Sequence, residues 1–192
     1  MAEGENKLHF AISVVRGAQR FRELIVYISE KCANDMYYGA VKLNKILYYS
    51  DFRAFERFGV PLTGVRYFRL PKGPAPAALL PIQGELIREG AIRIDIVKIG
   101  GYDQKRTIAL RKPVLQHFTD DELQLVDEVI GELWPQNATE VSDASHDIRW
   151  RTLKHKDFIP YEAAFLSDEP ITESEIKRTA ELAAEFGWET GR

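Results

Sequence analysis

AVKLNKILYYSDFRAFERFG, residues 40–59, decides how the rest of the chain must be arranged. Leu43, Ile46, Leu47, Ser50 and Ala54 recur at helical spacing and form one stripe. Tyr48, Phe52 and Phe55 form a second. A helix apolar on two sides is buried on two sides, so this one belongs at the centre of the molecule. Gly59 is a good stop, because glycine accepts the left-handed conformation in which helices end.

On its N-terminal side, FRELIVYISEK (21–31) places Phe21, Leu24, Ile25 and Ile28 on one helical face, and Asn34-Asp35 and Gly39 punctuate the join. On its C-terminal side, LTGVRYFRL (62–70) carries Val65, Tyr67 and Phe68 and predicts a short strand near 64–70. That strand runs into Lys72-Gly73-Pro74. A phosphate loop needs backbone donors, and proline has none, so a phosphate site is excluded there. Pro71, Pro74 and Pro76 allow the spacing of a proline-rich ligand, but Ala-Leu-Leu follows at once. The expected reading is a glycine turn with proline opening a helix. That helix, PAPAALLPIQGELIREG (74–90), should be kinked or divided at Pro81 and closed by Gly90.

IRIDIVKI (92–99) alternates Ile92, Ile94, Ile96 and Ile99 with Arg93, Asp95 and Lys98, the pattern of a half-buried strand. Gly100-Gly101 and Asp103 turn the chain and RTIALRK returns, giving an antiparallel hairpin near 92–111. Thr119-Asp120-Asp121-Glu122 is a capping box, with a helix from Leu123 to Leu133 ending near Pro135. Asn137 and Glu140 start another, to about Leu153, and Pro160 interrupts next. Thr172 and Glu175 form a third box, opening an alanine- and glutamate-rich helix to about Phe186. The expected fold is α+β, a mainly helical body with a small antiparallel sheet. Residues 1–19 read as an extension, 20–165 as the domain, and 166–192 as an acidic C-terminal segment with a helix.

At 192 residues and 45% hydrophobic content the chain can bury a core. Its one cysteine, Cys32, allows no internal disulfide and suits a reducing compartment. No stretch has the roughly 20 apolar residues of a membrane span, and MAEGENKLHF lacks the apolar run of a secretory signal. A cytoplasmic protein with no membrane partner is expected. The net charge of −3 conceals an asymmetry: residues 1–118 hold 19 Lys/Arg against 11 Asp/Glu, and residues 119–143 hold eight acids and no Lys or Arg. Either the solvated faces of different helices differ in sign, or the two surfaces steer a partner.

Candidate chemistry is sparse. There is no nucleophile elbow and no zinc-protease motif. His146-Asp147 resembles a metal-phosphohydrolase pair, but His9, His117 and His155 stand in no ligand spacing with it, so neither metal nor cofactor is expected. Cys32 reads as a small buried hydrophobe. Lys42, Lys45 and Arg53 with Tyr49, followed by Arg66, Arg69 and Lys72, form the one pattern that suits nucleic acid. A sequence pI of about 5.9 argues against that partner.

Several separated motifs resemble one family. Lys42, Leu43, Lys45, Ile46, Leu47 and Tyr48 form a helix motif followed by Gly64, Tyr67, Gly73 and Pro74. Ser145-His146, Trp150 and Ile159-Pro160-Tyr161-Glu162 close the pattern. Over about residues 20–165 this resembles the Panacea (SocA-like) antitoxin domain of type II toxin–antitoxin and phage-defence systems. The resemblance implies a non-enzymatic antitoxin that binds and neutralises a toxin encoded beside it. One branch resembles an adaptor that delivers its toxin to a protease, which adds a protease, or a nucleic-acid-binding regulator, as the alternative role. Nothing in the pattern specifies a homo-oligomer. The resemblance makes Leu43, Ile46, Leu47 and Tyr48 core, Gly73-Pro74 a structural corner, and His146 and Trp150 a lock for the last domain helix, with Pro160 and Tyr161 closing the motif. Candidate partner contacts are Tyr37, Tyr38, Tyr49, Arg53, Arg66 and Arg69, with the acidic segment beyond residue 168.

Overall fold

The computed structural model describes residues 8–168 and 172–187. Helix α2 (Ala40–Phe58) is the axle. Leu43, Ile46, Leu47, Tyr48, Phe52 and Ala54 are each at most 1% exposed, and Phe55, at the end of the second stripe, is half-buried against the core. Gly59 ends the helix in the left-handed region, its N–H bonded to the Phe55 carbonyl. Helices α1 (Gly17–Lys31), α4 (Asp120–Leu133) and α5 (Ala138–Ala144) pack against α2. It also packs against a three-stranded antiparallel sheet, a hairpin and a 3-10 turn that follows the sheet. The sheet has the order β2 (Gly73–Pro76), β1 (Tyr67–Leu70), β5 (Phe158–Ile159). The hairpin joins β3 (Ile92–Ile99) to β4 (Tyr102–Ala109). Helix α3 (Leu79–Arg88) links the two, and α6 (Ile148–Arg151), a 3-10 turn (Tyr161–Phe165) and α7 (Glu173–Phe186) complete the order. The α+β expectation stands, and among the described residues no helix is long and apolar enough to cross a membrane.

Four local expectations change. Residues 73–76 form an edge strand, not the start of a helix. The Ala77 N–H bonds the Arg66 carbonyl at 2.8 Å, so Gly73 and Ala75 take the donating positions. Pro74 and Pro76 then fall where β1 needs no donor, which is how an edge strand tolerates proline. Pro81 does not divide α3, because the helix starts at Leu79 and leaves Pro81 in the first turn, where an N–H would have no carbonyl to meet. The helix expected from Asn137 to Leu153 breaks at Ser145. The Ser145 hydroxyl bonds back to the Ser142 carbonyl at 2.7 Å, and the Asp147 carboxylate caps a new helix through the Trp150 N–H. The hairpin's apolar face is covered only at its root: Ile92 is 1% exposed, Ile94 39% and Ile96 65%.

The Thr119 capping box forms in full, and so does the Asn137–Glu140 box. At α7 the Thr172 carbonyl accepts the Ile176 N–H, while the Glu175 side chain lies outside the described residues. The stretch before α1 is stitched to the body: Ile12 N–H bonds the Gly64 carbonyl, the His9 carbonyl accepts from Tyr161, and the His9 ring pairs with Glu162 at 2.6 Å.

Candidate interaction surface and the scaffold behind it

Helix α2 carries Lys42, Lys45 and Asp51 into the core, and each ties a different neighbour to it. Lys42 donates to Asp35 at 2.7 Å and to the Trp134 carbonyl at 3.1 Å. The pair is enclosed, with side chains 1% and 2% exposed. Asp35 also accepts the Tyr37 N–H, so one ion pair fixes the α1–α2 loop and the end of α4.

Lys45 is 1% exposed, and its one partner among the described residues is the Pro74 carbonyl at 2.8 Å. Burial without a carboxylate pushes its pKa down to about 7. Gly73 lies against it with φ 88°, and an added Cβ would strike the Lys45 ammonium and the Ser145 hydroxyl, so only glycine fits. Between about pH 7 and 10.5 the folded lysine is neutral while the unfolded one still binds its proton. Stability should therefore rise with pH through that window, by about 1.4 kcal/mol per unit. Lys45→Met is expected to flatten the rise; urea midpoints across the window check it, and a flat wild-type curve would mean that the buried amine stays charged.

Asp51, 0% exposed, is the hub of the aromatic core. It accepts the Thr63 N–H at 2.7 Å, the Thr63 hydroxyl, and the Tyr67 hydroxyl at 2.8 Å. Burial pushes its carboxyl up to about 6 against the pull of the Thr63 bonds. Around it Phe52 stacks on Tyr161 at 4.9 Å and meets Tyr67 edge-on at 5.6 Å. The Tyr161 hydroxyl donates to the Val65 carbonyl at 2.7 Å, and Pro160 ends the segment just before.

Trp150 joins α6 to the sheet. Its indole N–H donates to the Leu70 carbonyl at 2.8 Å. The His146 ring stacks at 3.9 Å and the Arg69 guanidinium sits 3.7 Å from the ring centre, so the two must take opposite faces. His146 and Asp147 are thus engaged as stack and cap. Among the described residues no group of three or more His, Cys, Asp or Glu side chains is placed to hold a metal ion. Cys32 is fully buried, and burial pushes its thiol up to about 12.

The candidate contact residues are scattered. Tyr37 is half-buried and lines an open groove of about 770 Å³ with Val41, Lys72, Tyr102 and Thr139. Tyr38 is 0% exposed and bonded to the Ser29 hydroxyl, so it offers nothing to a partner. Tyr49 lies half-buried beneath Arg53, whose guanidinium is held by Glu132 at 2.6 and 2.7 Å. Arg66 and Arg69, three residues apart along the ladder, project from opposite faces of the sheet: Arg66 is exposed over the Phe158 ring, and Arg69 is half-buried against Trp150. Lys42 and Lys45 are internal, which removes them from any phosphate-gripping face. Part of the charge asymmetry is met by ion pairs within the molecule: Asp127 meets Lys31, Glu128 meets Arg57, Glu132 meets Arg53 and Glu122 meets Arg20. Sequence reading missed Asp51, although an aspartate amid the apolar positions of α2 is its visible signal.

The fold and its polar interior define an α+β domain organised on one central helix, with its motif residues turned inward. The family model of the antitoxin SocA-like Panacea domain matches residues 43–151, more than half of the chain, and the chain belongs to that family. The matched span holds Leu43 to Trp150; Lys42 and Ile159–Glu162 lie outside it. No curated protein and no solved structure matches the chain.

Proposed function

We propose that the chain is a cytoplasmic antitoxin that neutralises a toxin encoded by an adjacent gene, by binding it directly and without catalysis. Family membership supports the antitoxin role. The observation that carries the mode of action is that the motif residues are spent on architecture: Lys42 holds Asp35, Lys45 holds the β2 carbonyl, and His146 stacks on Trp150, whose indole N–H holds the Leu70 carbonyl. Recognition then falls to the outer surface, where a standard interface covers roughly 800 Å² per partner. The test is growth of cells expressing the adjacent gene, with and without this chain. Toxicity relieved by co-expression is expected. A harmless neighbour, or a toxic one that this chain fails to relieve, would overturn the reading.

A further inference from the structure

Two basic segments far apart in sequence meet at the edge of the three-stranded sheet. Arg66, Arg69 and Lys72 lie in and around β1; Lys154, His155 and Lys156 lie in the loop entering β5. The Arg69 N–H bonds the Asp157 carbonyl at 2.9 Å, and the Arg69 carbonyl accepts the Lys156 N–H at 2.9 Å. Two loop residues thus answer one residue of β1, which is a bulge. Lys156 takes up the misfit at φ 69°, a left-handed conformation that glycine would adopt at lower cost. Five of the six side chains are exposed and Arg69 is half-buried.

The patch keeps a net positive charge, five Lys and Arg side chains against the Asp157 carboxylate within the loop. Elsewhere the acidic side chains of α4 take up the basic ones of α1 and α2. Here the carboxylates of the neighbouring segments meet other arginines, Asp168 holding Arg151 and Asp147 facing Arg149, while Asp157 accepts the Lys154 N–H. No carboxylate among the described residues pairs with the patch's cations. The aromatic rings set Arg66 and Arg69 in place, with Phe158 under one and Trp150 under the other. The Arg69 Nε is buried without a hydrogen-bond partner.

We infer that this sheet edge, through the exposed Arg66, Lys154 and Lys156, docks an acidic segment of the partner protein, an assignment that rests on the antitoxin reading. Carboxylates suit it better than nucleotides. Single strands bind through free aromatic faces as well as charge, and here Trp150 is covered on both faces and Phe158 carries Arg66. The exposed Arg66 guanidinium, set over Phe158, can take a carboxylate in a paired geometry, and the lysines add steering charge.

The test uses the full chain, the purified product of the adjacent gene, and the variant Arg66→Glu/Lys154→Glu/Lys156→Glu, whose sites are all exposed. Affinity is expected to fall on the order of 100-fold for the triple variant, because like charges across an interface repel. The comparison variant Arg88→Glu/Lys98→Glu, placed on α3 and the hairpin, is expected to bind as wild type. Thermal melts confirm that each variant folds. If wild type binds and the triple variant binds equally well, the docking face is wrong while the antitoxin reading stands. If wild type does not bind, the antitoxin reading falls and takes this assignment with it. A labelled oligothymidylate bound by wild type and lost by the triple variant would make nucleic acid the occupant and overturn the inference.

Discussion

Lys42→Ala is expected to lower unfolding free energy by about 3–5 kcal/mol, the usual cost of stranding a buried charge. Asp35 is the charge left behind, with a side chain 2% exposed and only the Tyr37 N–H still bonded to it. The Trp134 carbonyl loses its donor in the same step, so the end of α4 loosens from α2. For a domain whose whole stability is about 5–15 kcal/mol, that is a large share of the total. The double variant Asp35→Asn/Lys42→Met removes both charges and is expected to be milder than the single change. Urea unfolding of the three proteins decides it. A single-variant loss below about 1 kcal/mol would show that water reaches Asp35.

The second large effect is at Asp51. Asp51→Ala leaves the buried Thr63 N–H and hydroxyl without acceptors and opens a cavity among Phe52, Tyr67 and Tyr161. A loss of about 3–5 kcal/mol is expected from the stranded donors and the cavity together. The Tyr67 hydroxyl is spared in part, because it also reaches the Leu47 carbonyl at 2.9 Å. The carboxyl has its own pH signature. Its folded pKa is raised from 3.8 to about 6, so the folded state holds the proton more tightly than the unfolded one. This group therefore supports the fold most at low pH, and its contribution is lost as pH rises from 3.8 to about 6. Asp51→Asn keeps the shape and is expected to remove that dependence. Urea midpoints over the window, equal in slope for wild type and Asp51→Asn, would place the ionisation elsewhere.

What the sequence revealed and what it hid divide along physical lines. The central helix, the Thr119 cap and the hairpin were legible because each rests on a local rule: spacing of apolar residues, a hydroxyl with a glutamate three residues on, alternation across a glycine turn. Strands β2 and β5 were not. The first contains two prolines whose tolerance depends on which side of an edge strand they face, and the second is two residues long and exists through its pairing with β1. Ile94 and Ile96 kept their alternation, but how much of a strand face is covered depends on what packs there, which periodicity does not encode. The same limit applied to the surface. Arg66 was visible as a basic residue, yet only the β1–β5 pairing brings the Lys154–Lys156 loop to the same sheet edge. Tyr38 failed as a contact residue because aromatic side chains suit a core and an interface equally well, and here it is core.

The central claim is direct binding, and size-exclusion chromatography of this chain co-expressed with the product of the adjacent gene tests it most directly. The expected result is a single peak holding both proteins in a fixed ratio, eluting earlier than this chain alone. Growth rescue accompanied by two separate peaks would contradict it, because the toxin would then be neutralised without a complex.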